Sequence, residues 1–158
     1  MGTPSTREQS IARMADVMRD FMANAVLFQD AVARTGGLNS TDLQAVGLLM
    51  SQGPATPGEL AERTGLSAGG AITAVIDRLE KAGYVSRQRD QADRRRVIVT
   101  ADVDKVLQAV GPIYGRVGAR WAAYLDTLTD EQIEVANELF SRASQINREE
   151  IELLKESR

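Results

Sequence analysis

Three consecutive arginines, Arg94, Arg95 and Arg96, directly follow Asp93, and Arg87 and Arg89 stand a few residues upstream. Guanidinium groups at that density suit phosphate and groove recognition, but the same residues also serve as a solvated sheet edge that discourages aggregation. The 158-residue chain has a formal net charge of −3, so it is not a uniformly basic nucleic-acid binder. Its charge is segregated. Five arginines face two aspartates between Tyr84 and Thr100, whereas eight acids face four bases from Thr129 to Arg158. A local basic patch, rather than the total, is what would meet a polyanion.

Other chemistries are poorly served. The sequence has no cysteine, which removes thiolate metal sites, disulfides and redox sensing, and no histidine, which removes the commonest metal ligand and acid-base group. It shows no nucleophile–base triad or glycine-rich phosphate cradle, and Glu149-Glu150 reads as part of a charged, solvated helix. No enzyme, catalytic residue, metal or cofactor is therefore expected. There is no run of about 18 apolar residues to span a bilayer and no signal-peptide core at the start, so a cytoplasmic protein without a membrane partner is expected.

Hydrophobic spacing outlines the scaffold that must hold the arginines. Ile11, Met14, Met18, Phe21, Ala25, Phe28 and Val32 recur every three or four residues, which predicts a long helix from Thr6 to Arg34 that stops at Thr35-Gly36-Gly37. That stripe suits either a core-facing helix or a dimer seam. Asn39-Ser40-Thr41-Asp42 supplies the cap of a short second helix, ended by Gln52-Gly53-Pro54. Thr56-Pro57-Gly58-Glu59 combines a cap hydroxyl, a first-turn proline and a capping-box glutamate for a third helix. Gly65 ends that helix and Ser67 offers the cap of a fourth, so Thr64-Gly65-Leu66-Ser67 joins a helix-turn-helix pair.

The fourth helix places Ile72, Val75, Ile76 and Leu79 on one face and Ser67, Gly70, Thr73, Ala74, Asp77, Arg78 and Lys81 on the other. Gly69 and Gly70 cost helix stability, and they fit either tolerance at a loop end or close approach of backbone to another surface. After Gly83, Tyr84 to Arg89 reads as a strand, Asp90-Gln91-Ala92-Asp93 as a turn, and Val97-Ile98-Val99 as the returning strand. This hairpin carries the arginines behind a helix-turn-helix, an order that favours a DNA-binding wing. Asp102 caps a fifth helix interrupted by Pro112 among Gly111, Gly115 and Gly118, where a bend and simple tolerance both stay open. Thr129-Asp130-Glu131-Gln132 opens the last helix. The expected fold is mainly α with a small β-hairpin wing. A single domain over 1–158 would hold a winged helix-turn-helix lobe at 40–101 and dimerisation helices at 6–35 and 102–156.

Glu59-Leu60-Ala61-Glu62-Arg63-Thr64-Gly65-Leu66-Ser67, then Val75-Ile76-Asp77-Arg78-Leu79-Glu80-Lys81-Ala82-Gly83-Tyr84-Val85, then Asp93-Arg94-Arg95, resembles the MarR family (multiple antibiotic resistance regulators). The helix order resembles that family over nearly the whole chain. The resemblance implies a homodimer built from the first, fifth and sixth helices, with a recognition helix in each major groove and a wing at each minor groove. Carried over by residue, Ser67, Gly69, Gly70, Thr73 and Ala74 would face DNA, with Arg78 near its backbone. Asp93 would orient Arg95 into the minor groove, and Arg94 and Arg96 would lie near phosphates. Many relatives are repressors released by small aromatic or phenolic ligands, for which Met18, Met22, Tyr114 and Trp121 would line an apolar cavity here. Core packing accounts for those four residues equally simply. Ala101-Asp102 replaces the family's usual leucine-threonine step, and the recognition helix lacks the large polar side chains of bidentate base readout.

The leading expectation is a sequence-specific, homodimeric repressor on a pseudo-palindromic double-stranded operator, released by a small aromatic effector. A different class of function, a winged-helix module that docks proteins and binds DNA only weakly, stands as the alternative.

Overall fold

Helix starts in this chain are fixed by side chains that satisfy the first free amides. The Thr6 hydroxyl accepts from the Gln9 amide ahead of α1 (Arg7–Thr35), and Asn39 Oδ1 accepts from the Asp42 amide at 2.8 Å ahead of α2 (Ser40–Gln52). Thr56 and Glu59 cap each other's amides to open α3 (Pro57–Thr64), as the sequence leads one to expect. The structure, a computed structural model, describes residues 6–90 and 93–156. Gln91 and Ala92 of the expected hairpin turn lie outside the described residues. After α4 (Gly70–Lys81) come β1 (Val85–Arg89), β2 (Val97–Ala101), α5 (Val103–Leu125) and α6 (Asp130–Glu156).

One expectation is corrected at the helix-turn-helix. Ser67 does not cap α4, which begins three residues later behind Gly69, a glycine at φ 114° and ψ −128° with no side-chain cap. The reason lies upstream. Gly65 is left-handed, and the Leu66 amide reaches back to the Ala61 carbonyl at 3.1 Å, a Schellman closure that turns Leu66 into the core. Ser67 and Ala68 are then spent on the turn itself.

The chain forms two compact units, Met1–Ile113 and Tyr114–Arg158. The first has a continuous core in which Leu60, Ile72, Ile76, Leu79, Val32, Val46 and Val99 are fully buried. Its two strands pair antiparallel with Val85 opposite Ala101 and Arg89 opposite Val97. Ala55, just before α3, adds a bridge on the free side of β2, exchanging both backbone hydrogen bonds with Val99 at 3.1 and 2.8 Å. The heptad stripe of α1 divides: Val32 is buried and Phe28 packs on the core, while Ile11, Met14 and Phe21 stay exposed. In the second unit no described residue is buried. α5 runs unbroken through Pro112, and the unit boundary falls directly after Ile113. One missing amide donor there does not end the helix. No described helix is long and apolar enough to cross a membrane.

Candidate DNA interface

α4 presents two opposed surfaces. Ile72, Val75, Ile76 and Leu79 are buried, which leaves Ser67, Gly69, Gly70, Thr73, Ala74, Asp77 and Arg78 exposed, the division expected from the sequence. Through its first two turns this exposed face carries nothing larger than threonine. A Cβ built on Gly70 meets nothing within 4 Å, so packing inside the protein does not demand glycine at that position.

The wing tip is shaped by Asp93. Its carboxylate accepts the Arg95 amide at 3.0 Å and its carbonyl accepts the Arg96 amide at 2.9 Å, while the Asp90 amide donates to the Arg96 carbonyl at 3.0 Å to close the hairpin. Asp93 therefore orients the backbone of Arg95 rather than its guanidinium. The Arg89 Nη1 group donates to the Arg94 carbonyl at 3.2 Å, bracing the same turn. Among the described residues the side chains of Arg94 and Arg95 have no hydrogen-bond or ion-pair partner, and both are exposed.

Arg78, Arg87 and Arg96 are instead engaged within the lobe, which the sequence alone did not reveal. Arg78 donates through Nε and Nη2 to the two carboxylate oxygens of Asp42, at 3.1 and 2.7 Å, and Asp42 is 2% exposed. That pairing holds the Arg78 guanidinium above its ordinary value. It also gives Arg78, whose side chain stays half exposed, a partner inside the lobe that the sequence reading did not include. Arg87 on β1 pairs with Asp77 at 2.5 Å and with Glu80, which additionally accepts the Arg87 amide at 3.2 Å. Asp77 first, then Glu80, pushes the Arg87 guanidinium up. The i, i+3 spacing of Asp77 and Glu80 on one helix face was the available signal for this clamp.

Arg96 Nη2 meets Glu59 Oε1 at 3.2 Å, while Glu59 Oε2 accepts the Thr56 amide at 2.7 Å. The Thr56 amide and hydroxyl, and then the charges of Arg96 and Arg63, hold the Glu59 carboxyl below the usual carboxylate range. A depressed value means the contribution of ionised Glu59 is present above the ordinary carboxylate range and is lost only as the pH falls through the lowered value. Glu59 is ionised at neutral pH.

The four residues considered for a ligand cavity are divided between the two units. Met18 is half-buried and Met22 exposed on α1, one turn apart. Tyr114 and Trp121 are exposed two turns apart on α5, with the Trp121 ring edge-on to Tyr124 at 6.1 Å.

Known proteins resemble this chain in sequence and in fold. A profile of the MarR family matches residues 36–96, the helix-turn-helix and wing. YcgE of Bacillus subtilis (strain 168), an uncharacterised HTH-type transcriptional regulator, is 36% identical over 159 residues, covering 99% of this chain and 100% of that relative. The chain belongs to the MarR family. It is an HTH-type DNA-binding transcriptional regulator of a non-enzymatic family. A MarR family protein from Bacillus stearothermophilus matches this MarR-family chain with a TM-score of 0.70 at 22% identity, covering 91% of this chain and 99% of that one. FabT of Streptococcus pneumoniae, solved in complex with DNA, matches with a TM-score of 0.69 at 18% identity, covering 88% and 98%. At those identities the likeness is one of fold.

Proposed function

We propose that this regulator acts as a homodimer on a pseudo-palindromic operator, with α4 in successive major grooves and Arg95 of each wing in the flanking minor groove. The observation that carries the reading is the pairing of a small, exposed face on α4 with a wing tip whose Arg94 and Arg95 have no partner among the described residues. Small side chains let a helix sit deep in a groove, where Thr73 and Ala74 would meet base edges or thymine methyl groups. A guanidinium in a narrow minor groove gains from the concentrated negative potential there, and Arg94 would sit at phosphate. Ser67, Gly69 and Gly70 form the approach surface. Arg78 and Arg96 serve the lobe's geometry through Asp42 and Glu59.

Dimerisation is supported by the exposed apolar residues of α1, α5 and α6, which would form one domain with the partner chain. Half-sites would lie about one helical turn apart. Footprinting of the purified protein on sequences selected from a randomised duplex pool tests the reading: two protected half-sites support it, and protection of a single site by a monomer removes the dimer.

Repression relieved by a small aromatic effector is the finer part of the proposal, supported by Tyr114, Trp121 and the methionines Met18 and Met22, whose thioethers repack around irregular shapes. A ligand would release DNA only by favouring a dimer geometry that misses one half-site. Titration of aromatic carboxylic acids while following Trp121 fluorescence and operator binding tests it. Silence in both channels across a broad aromatic library removes the effector.

A further inference from the structure

The wing is fastened to the helix-turn-helix at two levels. At its base, Arg87 of β1 clamps Asp77 and Glu80 of α4, and Val99 of β2 exchanges backbone hydrogen bonds with Ala55. Arg87 and Val99 face each other in the strand register, so both attachments act at one height. From there β2 runs back toward the tip, and among the described residues no further backbone bond ties it to the helices. Three residues tipward of Val99, at the end of the Asp93–Arg96 turn, Arg96 reaches Glu59 of α3. On the other segment Glu59 lies four residues beyond Ala55, so the side-chain contact continues the antiparallel bridge outward.

Glu59 is unusually well prepared for this. Long side chains normally lose rotamer entropy when they pair on a surface, which limits most exposed ion pairs to little net energy. Here the Thr56 cap already fixes one carboxylate oxygen, leaving the other aimed at the wing. Both partners are half exposed, so the pair adds little to fold stability. Its effect falls on the position of the tip that carries Arg94 and Arg95.

Resting on the DNA-binding reading above, we infer that Glu59 is a positioning residue for operator recognition: through Arg96 it sets the distance of the wing tip from the recognition helix, and Arg96 is a strap rather than a phosphate contact. The inference predicts a sign that charge alone does not. Glu59→Gln keeps the capping box, because glutamine retains an acceptor for the Thr56 amide, but it removes the ion pair. Losing an acid next to DNA should by itself tighten binding to every sequence.

The test compares the wild-type protein, Glu59→Gln and Arg96→Ala on two duplexes of equal length, one carrying the sequence that the wild type enriches from a randomised pool and one of random sequence. In Glu59→Gln the freed Arg96 reaches phosphate, so the salt slope on random DNA steepens by about one contact while preference for the enriched site falls about fivefold. Arg96→Ala lowers that preference by a similar factor and leaves the slope on random DNA unchanged. Equal tightening of both duplexes in Glu59→Gln, or a slope shallower by one contact in Arg96→Ala, overturns the strap and leaves the DNA-binding reading intact. Unchanged preference in both variants also overturns it. Absence of any enriched sequence with the wild type removes the operator reading and the strap together.

Discussion

Every buried apolar residue among those described lies between Val32 and Val110, whereas Trp121, Tyr124, Phe140 and Ile146 in the second unit, and Ile11, Met14 and Phe21 on α1, are all substantially exposed. The winged lobe completes its core within one chain. The long helices present comparable apolar residues as a surface. That contrast separates two kinds of folding information: caps fix helix starts in the lobe and in the long helices alike, but only the lobe adds turns and a shared core that bury its apolar residues.

The strongest way to break the contrast is to charge the helices without touching the lobe. Ile11→Glu combined with Leu153→Glu puts a carboxylate at each end of the chain on residues that are more than half exposed. If these faces are a dimer seam, the double variant sediments as a single 17.2 kDa chain where the wild type sediments at twice that mass. Amide exchange protection at Leu60, Ile76 and Leu79 should persist. An unchanged dimer would mean that other residues form the seam.

Gly70→Glu makes the converse change, altering only the exposed α4 face of the lobe that is proposed to meet DNA. The position is open, so the unfolding midpoint should stay near the wild-type value. A carboxylate against phosphates should weaken operator binding on the order of 100-fold. Retained affinity would show that this face does not meet DNA. At the wing, Arg95→Ala is expected to cost about tenfold and to relax preference at the flanking bases, while Arg94→Ala should weaken all sequences alike and flatten the salt slope by about one contact. Identical behaviour of the two variants would reduce the tip to an electrostatic pad.

Much of the helix framework was legible in the sequence because its signals are local. Thr56, Glu59, Gly65, Asp102 and Thr129 each act within four residues of themselves, and each appears where its chemistry predicts. The buried face of α4 followed from periodicity. Ser67 misled because a cap-forming side chain is equally at home inside a turn, and the closure by Leu66 that moved the helix start depends on the core. The arginine pairings were illegible for the same reason. Asp42 and Arg78 are 36 residues apart and Glu59 and Arg96 are 37 apart, so nothing in spacing joins them. Counting charge in the wing overstated its unpaired arginines, since Arg87 and Arg96 already have acidic partners.

Arg78 sharpens this distinction between bracing and binding. Arg78→Ala strands a buried carboxylate, so unfolding free energy should fall by about 1–3 kcal/mol, with the salt slope of DNA binding unchanged. Arg78→Lys should recover only part of the loss, because an ammonium cannot reproduce the paired Nε and Nη2 contacts. A shallower slope at full stability would instead make Arg78 a phosphate contact.

The smallest effect is expected where the two regions meet. α1 enters the lobe at its C-terminal end, and there the buried Tyr84 donates its hydroxyl to the Gly36 carbonyl at 2.8 Å, with Lys105 of α5 5.7 Å from the centre of the ring. Tyr84→Phe removes one hydrogen bond and should cost about 1 kcal/mol. Gly36 sits at φ −88°, so backbone strain does not require glycine, yet an added Cβ would lie 3.0 Å from the Tyr84 hydroxyl oxygen. Gly36→Ala should therefore destabilise the wild type by crowding that hydroxyl. In the Tyr84→Phe background the oxygen is gone, and the same alanine should cost clearly less. A double-mutant cycle in urea reads this as a non-additivity of at least about 0.5 kcal/mol. Simple additivity would mean that the helix end shifts freely past the tyrosine, and that the joint between α1 and the lobe is looser than the hydrogen bond implies.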